Sequence, residues 1–258
     1  MQQLYGLIGR TLGHSFSRDF FSKKFAAEYI DADYVNFELP DIGDFMELVA
    51  EAIDLCGLNV TIPYKEQIIP YLNSVADAAR EIGAVNTIRV DYDGRGGITL
   101  TGHNTDCIGF ADSVRPLLRP EMKRALVLGT GGASKAVIYA LRSLGIEPVQ
   151  VSRTAAAGRL TYADLTPEVM ASHTVIVNTT PLGMWPDVGS CPDIPYQLLT
   201  PGHLCYDVVY NPENTEFMKR AAARGATVKN GLEMLRLQAE AAWQIWQQSN
   251  APATVAAM

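Results

Sequence analysis

Over the first hundred residues, short apolar runs alternate with stretches of helical period. Residues 4–9 read as a buried strand closing on a glycine turn, and 17–29 as a helix with Phe20, Phe21 and Phe25 on one face. Residues 34–39 alternate as a strand that Pro40 stops, and 44–52 form a second helix. The run 58–62 is a strand; its period of two puts Asn59 and Thr61 on one face. Pro63 suits the first position of a helix, which places Lys65 in that helix's opening turn. Residues 74–77 (Ser-Val-Ala-Asp) read as a capping box that starts a helix running to about residue 82. Strands at 84–90 and 98–101 follow, joined by the turn-rich 91–97.

From about residue 105 the rhythm changes. A helix at 107–118 precedes 124–129 (Arg-Ala-Leu-Val-Leu-Gly), an apolar run without alternation, as in a strand buried on both faces of a parallel sheet. A glycine-rich turn and a helix at 133–144 come next. Strands at 147–151, 174–178, 204–208 and 226–229 then appear, with a helix at 215–224 before the last of them. A long amphipathic helix covers 232–247, and 249–258 read as a loose tail. Regular β/α alternation with buried strands predicts an α/β protein whose second part is a Rossmann-type, doubly wound parallel sheet.

Composition narrows the function classes. The 258 residues are 48% hydrophobic and 19% charged, which is globular and excludes a disordered chain. The length fits one large domain or two of ordinary size. A net charge of −7 argues against nucleic acid as a partner but leaves room for a small anion in a locally basic pocket. The first residues lack a basic segment followed by an apolar one, so no secretory signal is expected, and no run reaches the roughly 20 apolar residues of a membrane helix. Cys56, Cys107, Cys191 and Cys205 form no CxxC pair and share no metal-ligand spacing with the four histidines. They read as reduced thiols in a cytoplasmic protein without a metal.

Gly129-Thr130-Gly131-Gly132-Ala133-Ser134 stands where a dinucleotide fingerprint belongs, after a strand and opening a helix. Glycines let the backbone approach a pyrophosphate, and the helix N-terminus offers free N–H groups to it. The third fingerprint position carries Ser134 in place of Gly or Ala. A tight strand–helix turn without a ligand is the plain alternative. At the end of the next strand a carboxylate would favour NAD, but the chain has Ser152-Arg153-Thr154. An arginine there pairs with a 2′-phosphate, which favours NADP; a solvated surface arginine is the alternative. Arg159 is a second basic candidate on an adjoining loop.

Further motifs recur in order along nearly the whole chain: residues 14–17 (His-Ser-Phe-Ser), 59–65 (Asn-Val-Thr-Ile-Pro-Tyr-Lys), 83–87 (Gly-Ala-Val-Asn-Thr), 104–106 (Asn-Thr-Asp), 178–184 (Asn-Thr-Thr-Pro-Leu-Gly-Met), 207–212 (Asp-Val-Val-Tyr-Asn-Pro) and 231–235 (Gly-Leu-Glu-Met-Leu) through Gln238. With the glycine-rich turn and Ser152-Arg153-Thr154, this set resembles the shikimate dehydrogenase family. The resemblance implies NADP-dependent reversible reduction of 3-dehydroshikimate to shikimate, within chorismate and aromatic amino-acid biosynthesis. It implies a substrate domain at 1–104, completed by 232–258, an NADP-binding Rossmann domain at 105–231, and an active site in the cleft between them.

Reduction of a ketone by hydride transfer needs a proton for the developing alkoxide. Lys65 is the candidate donor, since the expected helix N-terminus eases loss of its proton, and Asp106, at the next helix start, is the carboxylate to hold it. A solvated lysine and a plain helix cap are the bland readings; the resemblance places both residues at the reacting hydroxyl. It also assigns Ser15 and Ser17 to the substrate carboxylate, Asn59, Thr61, Asn86 and Asp106 to the ring hydroxyls, and Tyr210 and Gln238 to the substrate pocket. Ser17 is equally an N-cap, and Gln238 equally a residue at the edge of an apolar stripe. Cofactor contacts fall to Gly129, Thr130, Gly131, Gly132, Ala133, Ser152, Arg153, Thr154 and Thr179. Val208 and Gly231 are placed near the nicotinamide, and Asp77 is assigned to the cofactor or to its capping box.

The chain departs from the family pattern at Ser152, where asparagine is usual, and in the wider spacing from Arg153 to Arg159. The nearest alternative is a quinate or quinate/shikimate dehydrogenase using NAD, in which threonine often replaces the second serine of Ser-x-Ser; Ser17 and Arg153 favour shikimate and NADP. A non-catalytic ligand sensor on the same fold would lose the Lys65/Asp106 pair, which is present. The expected partner is a small-molecule substrate, with neither nucleic acid nor membrane, and the protein is expected as a monomer or homodimer.

Overall fold

A computed structural model describes residues 2–13 and 16–248. They fall into two compact units, one of the described residues up to Thr105 together with those from Ala239 on, the other Asp106–Gln238.

The first unit holds strands β1 (Gln3–Gly9), β2 (Ala32–Glu38), β3 (Leu55–Val60), β4 (Ser74–Val75), β5 (Thr87–Tyr92) and β6 (Ile98–His103). Its helices are α1 (Phe16–Glu28), α2 (Phe45–Glu51) and α3 (Asp77–Ile82). The sheet order is β2-β1-β3-β5-β6-β4, with β5 antiparallel to both neighbours and the other pairs parallel. Alternation along the strands sends Ile8, Leu58, Val60, Ile88 and Leu100 to one buried layer with Phe45 and Val49 of α2. Tyr5 and Leu7 face the other way, against Phe21 and Phe25 of α1 and against Ala242, Ile245 and Trp246. Trp246 fixes that layer: its indole Nε1 donates to the Ile88 carbonyl at 3.0 Å, and its ring lies 4.9 Å from Tyr5.

The second unit begins with α4 (Asp106–Val114) and continues through β7 (Arg124–Leu128), α5 (Gly132–Ser143), β8 (Glu147–Ser152), β9 (Arg159–Thr161), α6 (Pro167–Ser172), β10 (Val175–Asn178), β11 (Leu204–Asp207), α7 (Glu216–Ala222) and β12 (Thr227–Lys229). The last helix, α8 (Leu232–Trp246), starts here and ends in the first unit. The sheet order is β12-β11-β10-β7-β8-β9, every pair parallel. In strand sequence this is the 6-5-4-1-2-3 order of a Rossmann fold, whose direction of winding reverses between β7 and β10. Leu126 and Leu128 face one buried layer with Ile176 and Phe217, while Ala125 and Val127 are equally buried on the opposite face. An apolar run without alternation is what two covered faces require.

Two local expectations are corrected. Residues 62–68 form successive turns ending in a 3-10 segment, Ile69–Tyr71, rather than a helix carrying Lys65. Pro70 has no N–H to continue an α-helical ladder and its ring crowds the carbonyl four residues back. The capping box at 74–77 is also absent: Ser74 and Val75 pair with β6, no side chain caps α3, and Asp77 bonds Arg80 at 2.7 Å. Ser74 instead approaches Thr101 across the ladder at 3.0 Å.

Candidate functional site

The polar candidates of the first unit gather at one end of its sheet. Asn59 is the last but one residue of β3, Asn86 precedes β5, and Asn104-Thr105 follow β6; because β5 is antiparallel, all three positions fall at the same end of the sheet. Asn59 is buried and its amide is fully engaged. Its Oδ1 accepts from the Tyr34 hydroxyl at 2.8 Å, and its Nδ2 donates to the Asn86 carbonyl at 3.3 Å and to Thr87 Oγ1 at 3.2 Å. Only the second lone pair of Oδ1 remains for a ligand, so Asn59 can accept from a hydroxyl. Asn86 Oδ1 accepts from the Thr105 N–H at 2.7 Å and from the Thr105 and Thr87 hydroxyls at 3.1 Å each. Thr61 follows β3 with its N–H on the Ile8 carbonyl at 2.9 Å.

Tyr34 is one residue that sequence reading missed. It is buried, stacks on Phe21 at 4.7 Å, and its hydroxyl bonds both Asn59 and Ser17; burial raises its pKa while the Ser17 bond opposes the rise. A tyrosine in an alternating strand carries no signal that its hydroxyl will meet two polar side chains. Ser17 lies in the first turn of α1 and Ser15 lies outside the described residues. Lys65 is half-buried, and its carbonyl accepts from the Val85 N–H at 2.7 Å, which ties the turn to the segment before β5. Asp77 is exposed on α3, in the first unit, and faces Arg80.

In the second unit the candidates follow the carboxyl ends of the parallel strands, where this topology holds its ligands. After β7, Gly129 has φ 116°, and a Cβ there would lie 2.8 Å from Thr179 Oγ1. Thr179, after β10, directs both its N–H and its hydroxyl to the Leu128 carbonyl at 2.9 and 2.6 Å. The two ends are thereby laced together at the point where the sheet reverses. Gly131 caps α5 with open space where a side chain would stand, and the first N–H groups of the helix, including those of Gly132 and Ala133, have no intrahelical acceptor. Thr130 lies in the turn with them. Such a concavity of glycine backbone at a helix N-terminus fits a pyrophosphate. Ser134 is fully buried and donates to the Gly131 carbonyl at 2.7 Å, so the departure at the third fingerprint position is internally satisfied.

After β8, Ser152 donates to the Thr154 carbonyl, leaving Arg153 and Thr154 exposed. The positive charge of Arg153 reaches Tyr162, where it opposes a burial-raised pKa. Arg159 opens β9 in register with Gln150, a regular edge strand in place of the expected loop.

After β11, Val208 donates its N–H to the Asn178 carbonyl at 3.0 Å. A Cβ on Gly231 would sit 2.1 Å from the Val208 carbonyl oxygen, so these two predicted neighbours are in backbone contact and only glycine fits. Tyr210 is partly exposed on the same loop, its hydroxyl pKa raised by partial burial. Below it Asp207 is fully buried, accepting from Thr215 at 2.6 Å, Asn178 at 2.9 Å and the Val209 N–H at 3.0 Å. Burial pushes its carboxyl pKa up to about 6 against the pull of those three bonds.

Asp106 is buried in the first turn of α4, at the positive end of the helix dipole. Burial, and secondly the Asp106 charge, push the neighbouring Cys107 thiol up to about 11, which makes it a poor nucleophile. One turn on, a Cβ at Gly109 would meet the Met234 carbonyl at 2.5 Å and the Gln238 nitrogen at 2.8 Å. This close helix contact brings buried Gln238 to the face of α4 that carries Asp106, since positions i and i+3 share a face. Gly109 drew no notice in the sequence because an isolated helical glycine announces no packing partner.

Among the described residues no cluster of His, Cys, Asp or Glu could hold a metal, and no helix is long and apolar enough to cross a membrane.

Comparison with known proteins extends the geometry. Residues 7–88 match the family model described as the shikimate dehydrogenase substrate binding domain. The chain is 40% identical to the NADP(+) shikimate dehydrogenase of Moorella thermoacetica, across 98% of this chain and 90% of that protein. It is similar in structure to the shikimate dehydrogenase of Aquifex aeolicus, with a TM-score of 0.83, 36% identity, and coverage of 97% of this chain and 94% of that one. The shikimate 5-dehydrogenase of Thermus thermophilus, solved with NADP(H) and shikimate, gives a TM-score of 0.83 at 29% identity, covering 95% and 93% of the two chains.

Proposed function

Because the chain belongs to the shikimate dehydrogenase family, we propose that it catalyses the reversible NADPH-dependent reduction of 3-dehydroshikimate to shikimate, a step of chorismate and aromatic amino-acid biosynthesis. The observation that carries this reading is that Asn59, Asn86 and Thr105 collect at one sheet end, polar and suited to a hydroxylated ring, while the turn at residues 129–132 stands at the end of the other sheet, glycine-lined and suited to a dinucleotide.

NADPH, when bound, supplies the hydride. The glycine-rich turn and the first N–H groups of α5 hold its pyrophosphate, and Arg153 pairs with its 2′-phosphate. Val208 and Gly231 support the nicotinamide end through their backbone contact. On the substrate side Ser15 and Ser17 bind the carboxylate, Asn59 accepts from a ring hydroxyl, and Thr61, Asn86, Gln238 and Tyr210 complete recognition. Lys65 delivers the proton to the developing alkoxide oxygen, and Asp106 orients that ammonium and accepts from the adjacent hydroxyl. Residues 62–68 form turns, so Lys65 is held by its own turn rather than at a helix N-terminus. None of the four cysteines forms a disulfide, which suits a reducing, cytoplasmic setting.

The reading is tested by following NADPH formation with shikimate. Wild-type protein should turn over, and Lys65→Ala should lose turnover while binding NADPH as the wild type does. Wild-type rates in the variant would remove Lys65 from the mechanism.

A further inference from the structure

We propose that Gln150, acting together with Ser134, is a positioning residue that fixes the glycine-rich turn in its pyrophosphate-binding orientation; this rests on the dinucleotide reading of that turn. Gln150 lies on β8, between β7 and β9, and is not part of the fingerprint. Its Nε2 donates to the Gly129 carbonyl at 2.9 Å and to Ser134 Oγ at 3.1 Å. Ser134 Oγ, having accepted that bond, donates to the Gly131 carbonyl at 2.7 Å. β8 also holds the other side of Gly129, whose N–H donates to the Val151 carbonyl at 2.9 Å.

The consequence follows from peptide planarity. In a trans peptide the C=O and the next N–H point in opposite directions. Turning the Gly129 carbonyl toward Gln150 therefore turns the Thr130 N–H away from the sheet. The Ser134 hydroxyl joins the Ser134 and Lys135 N–H groups, at 3.0 and 3.4 Å, in holding the Gly131 carbonyl inward, which likewise turns the Gly132 N–H out of the helix N-terminus. The clamp thus aims two donors at the place where the pyrophosphate belongs, and aims them before it arrives. Glycine lacks side-chain restraint, so a turn of this composition needs an external one to be preorganised. The serine at the third fingerprint position gains a purpose: alanine there could not relay the bond from Gln150 to Gly131.

The clamp touches the turn common to both dinucleotides and leaves the 2′-phosphate alone. Gln150→Met keeps the length of the side chain and removes its donors. It should raise the KM for NADP and for NAD by the same factor, about tenfold, with kcat within about twofold and shikimate KM unchanged, as loss of preorganisation implies. NADPH affinity, titrated by fluorescence, should fall equally. Ser134→Ala should weaken binding less, and the double variant should lose less than the product of the two single effects, because Gln150 acts in part through Ser134. If Gln150→Met fails to fold, Ser134→Ala alone decides by the same pair of KM ratios. An unchanged NADP KM, a changed NADP/NAD preference, or effects of the two variants that multiply would overturn the proposal. Wild-type protein that binds NADPH but does not oxidise shikimate would sink the assigned activity and leave the clamp standing.

Discussion

Gly231→Ala is the sharpest perturbation the structure offers. A Cβ at this position would lie 2.1 Å from the Val208 carbonyl oxygen and 2.6 Å from its carbon. Real Cβ atoms do not approach below 3.0 Å, so the two backbones must separate by at least 3.0 − 2.1 = 0.9 Å. The obstacle is main chain and cannot rotate away. The Gly231 N–H bond to the Val209 carbonyl, 3.1 Å long, is strained by the same movement. Overpacking of this kind costs about 1–3 kcal/mol of stability. A displacement near 1 Å at a reacting centre costs about 100-fold in rate. The variant should therefore fold, melt earlier, and show kcat lowered about 100-fold in steady-state oxidation of shikimate with NADP. A folded variant with kcat within about threefold of wild type would refute the assignment of Val208 and Gly231 to the nicotinamide end.

Arg153→Ala should lower kcat/KM with NADP by about 10- to 100-fold and leave NAD kinetics unchanged, as steady-state assays with each cofactor will show. Asp207 predicts a pH dependence of stability. Its carboxyl stands at about 6 in the fold against an ordinary 3.8, so the folded state binds the proton more tightly. That contribution is complete below the ordinary value and is lost as pH rises through about 6; two units are worth about 3 kcal/mol. Urea unfolding should show the margin of wild type over Asp207→Asn shrinking between pH 4 and 7, and a growing margin would contradict the burial argument. Tyr34→Phe keeps the stack on Phe21 but strips the donor from buried Asn59 Oδ1. It should cost about 1–3 kcal/mol in the same unfolding assay.

What the sequence disclosed and what it hid divide along physical lines. The parallel sheet was legible because a strand covered on both faces, such as Arg124–Leu128, must be continuously apolar. The glycine-rich turn was legible because it follows an apolar strand and opens a helix, and its Gly129, at φ 116°, holds a conformation that side chains rarely permit. Residues 62–68 misled because Pro63 opens helices and turns alike, and Pro70, which decides between them, acts from the far end. β9 and α6 escaped notice because three and six residues are too few to show a period, although Thr166 and Pro167 mark the start of the second. The supporting cast escaped for a different reason. Tyr34, Gln150 and Gly109 act through partners 25, 16 or 21, and 125 or more positions away, and no local pattern encodes a contact at that range.

The central claim is a substrate and a cofactor together, so one matrix of rates tests it most directly. Purified protein should be assayed with shikimate and with quinate, each with NADP and with NAD. The account predicts the highest kcat/KM for shikimate with NADP, through Ser17 and Arg153. A higher value for quinate, or for NAD with either substrate, would contradict it.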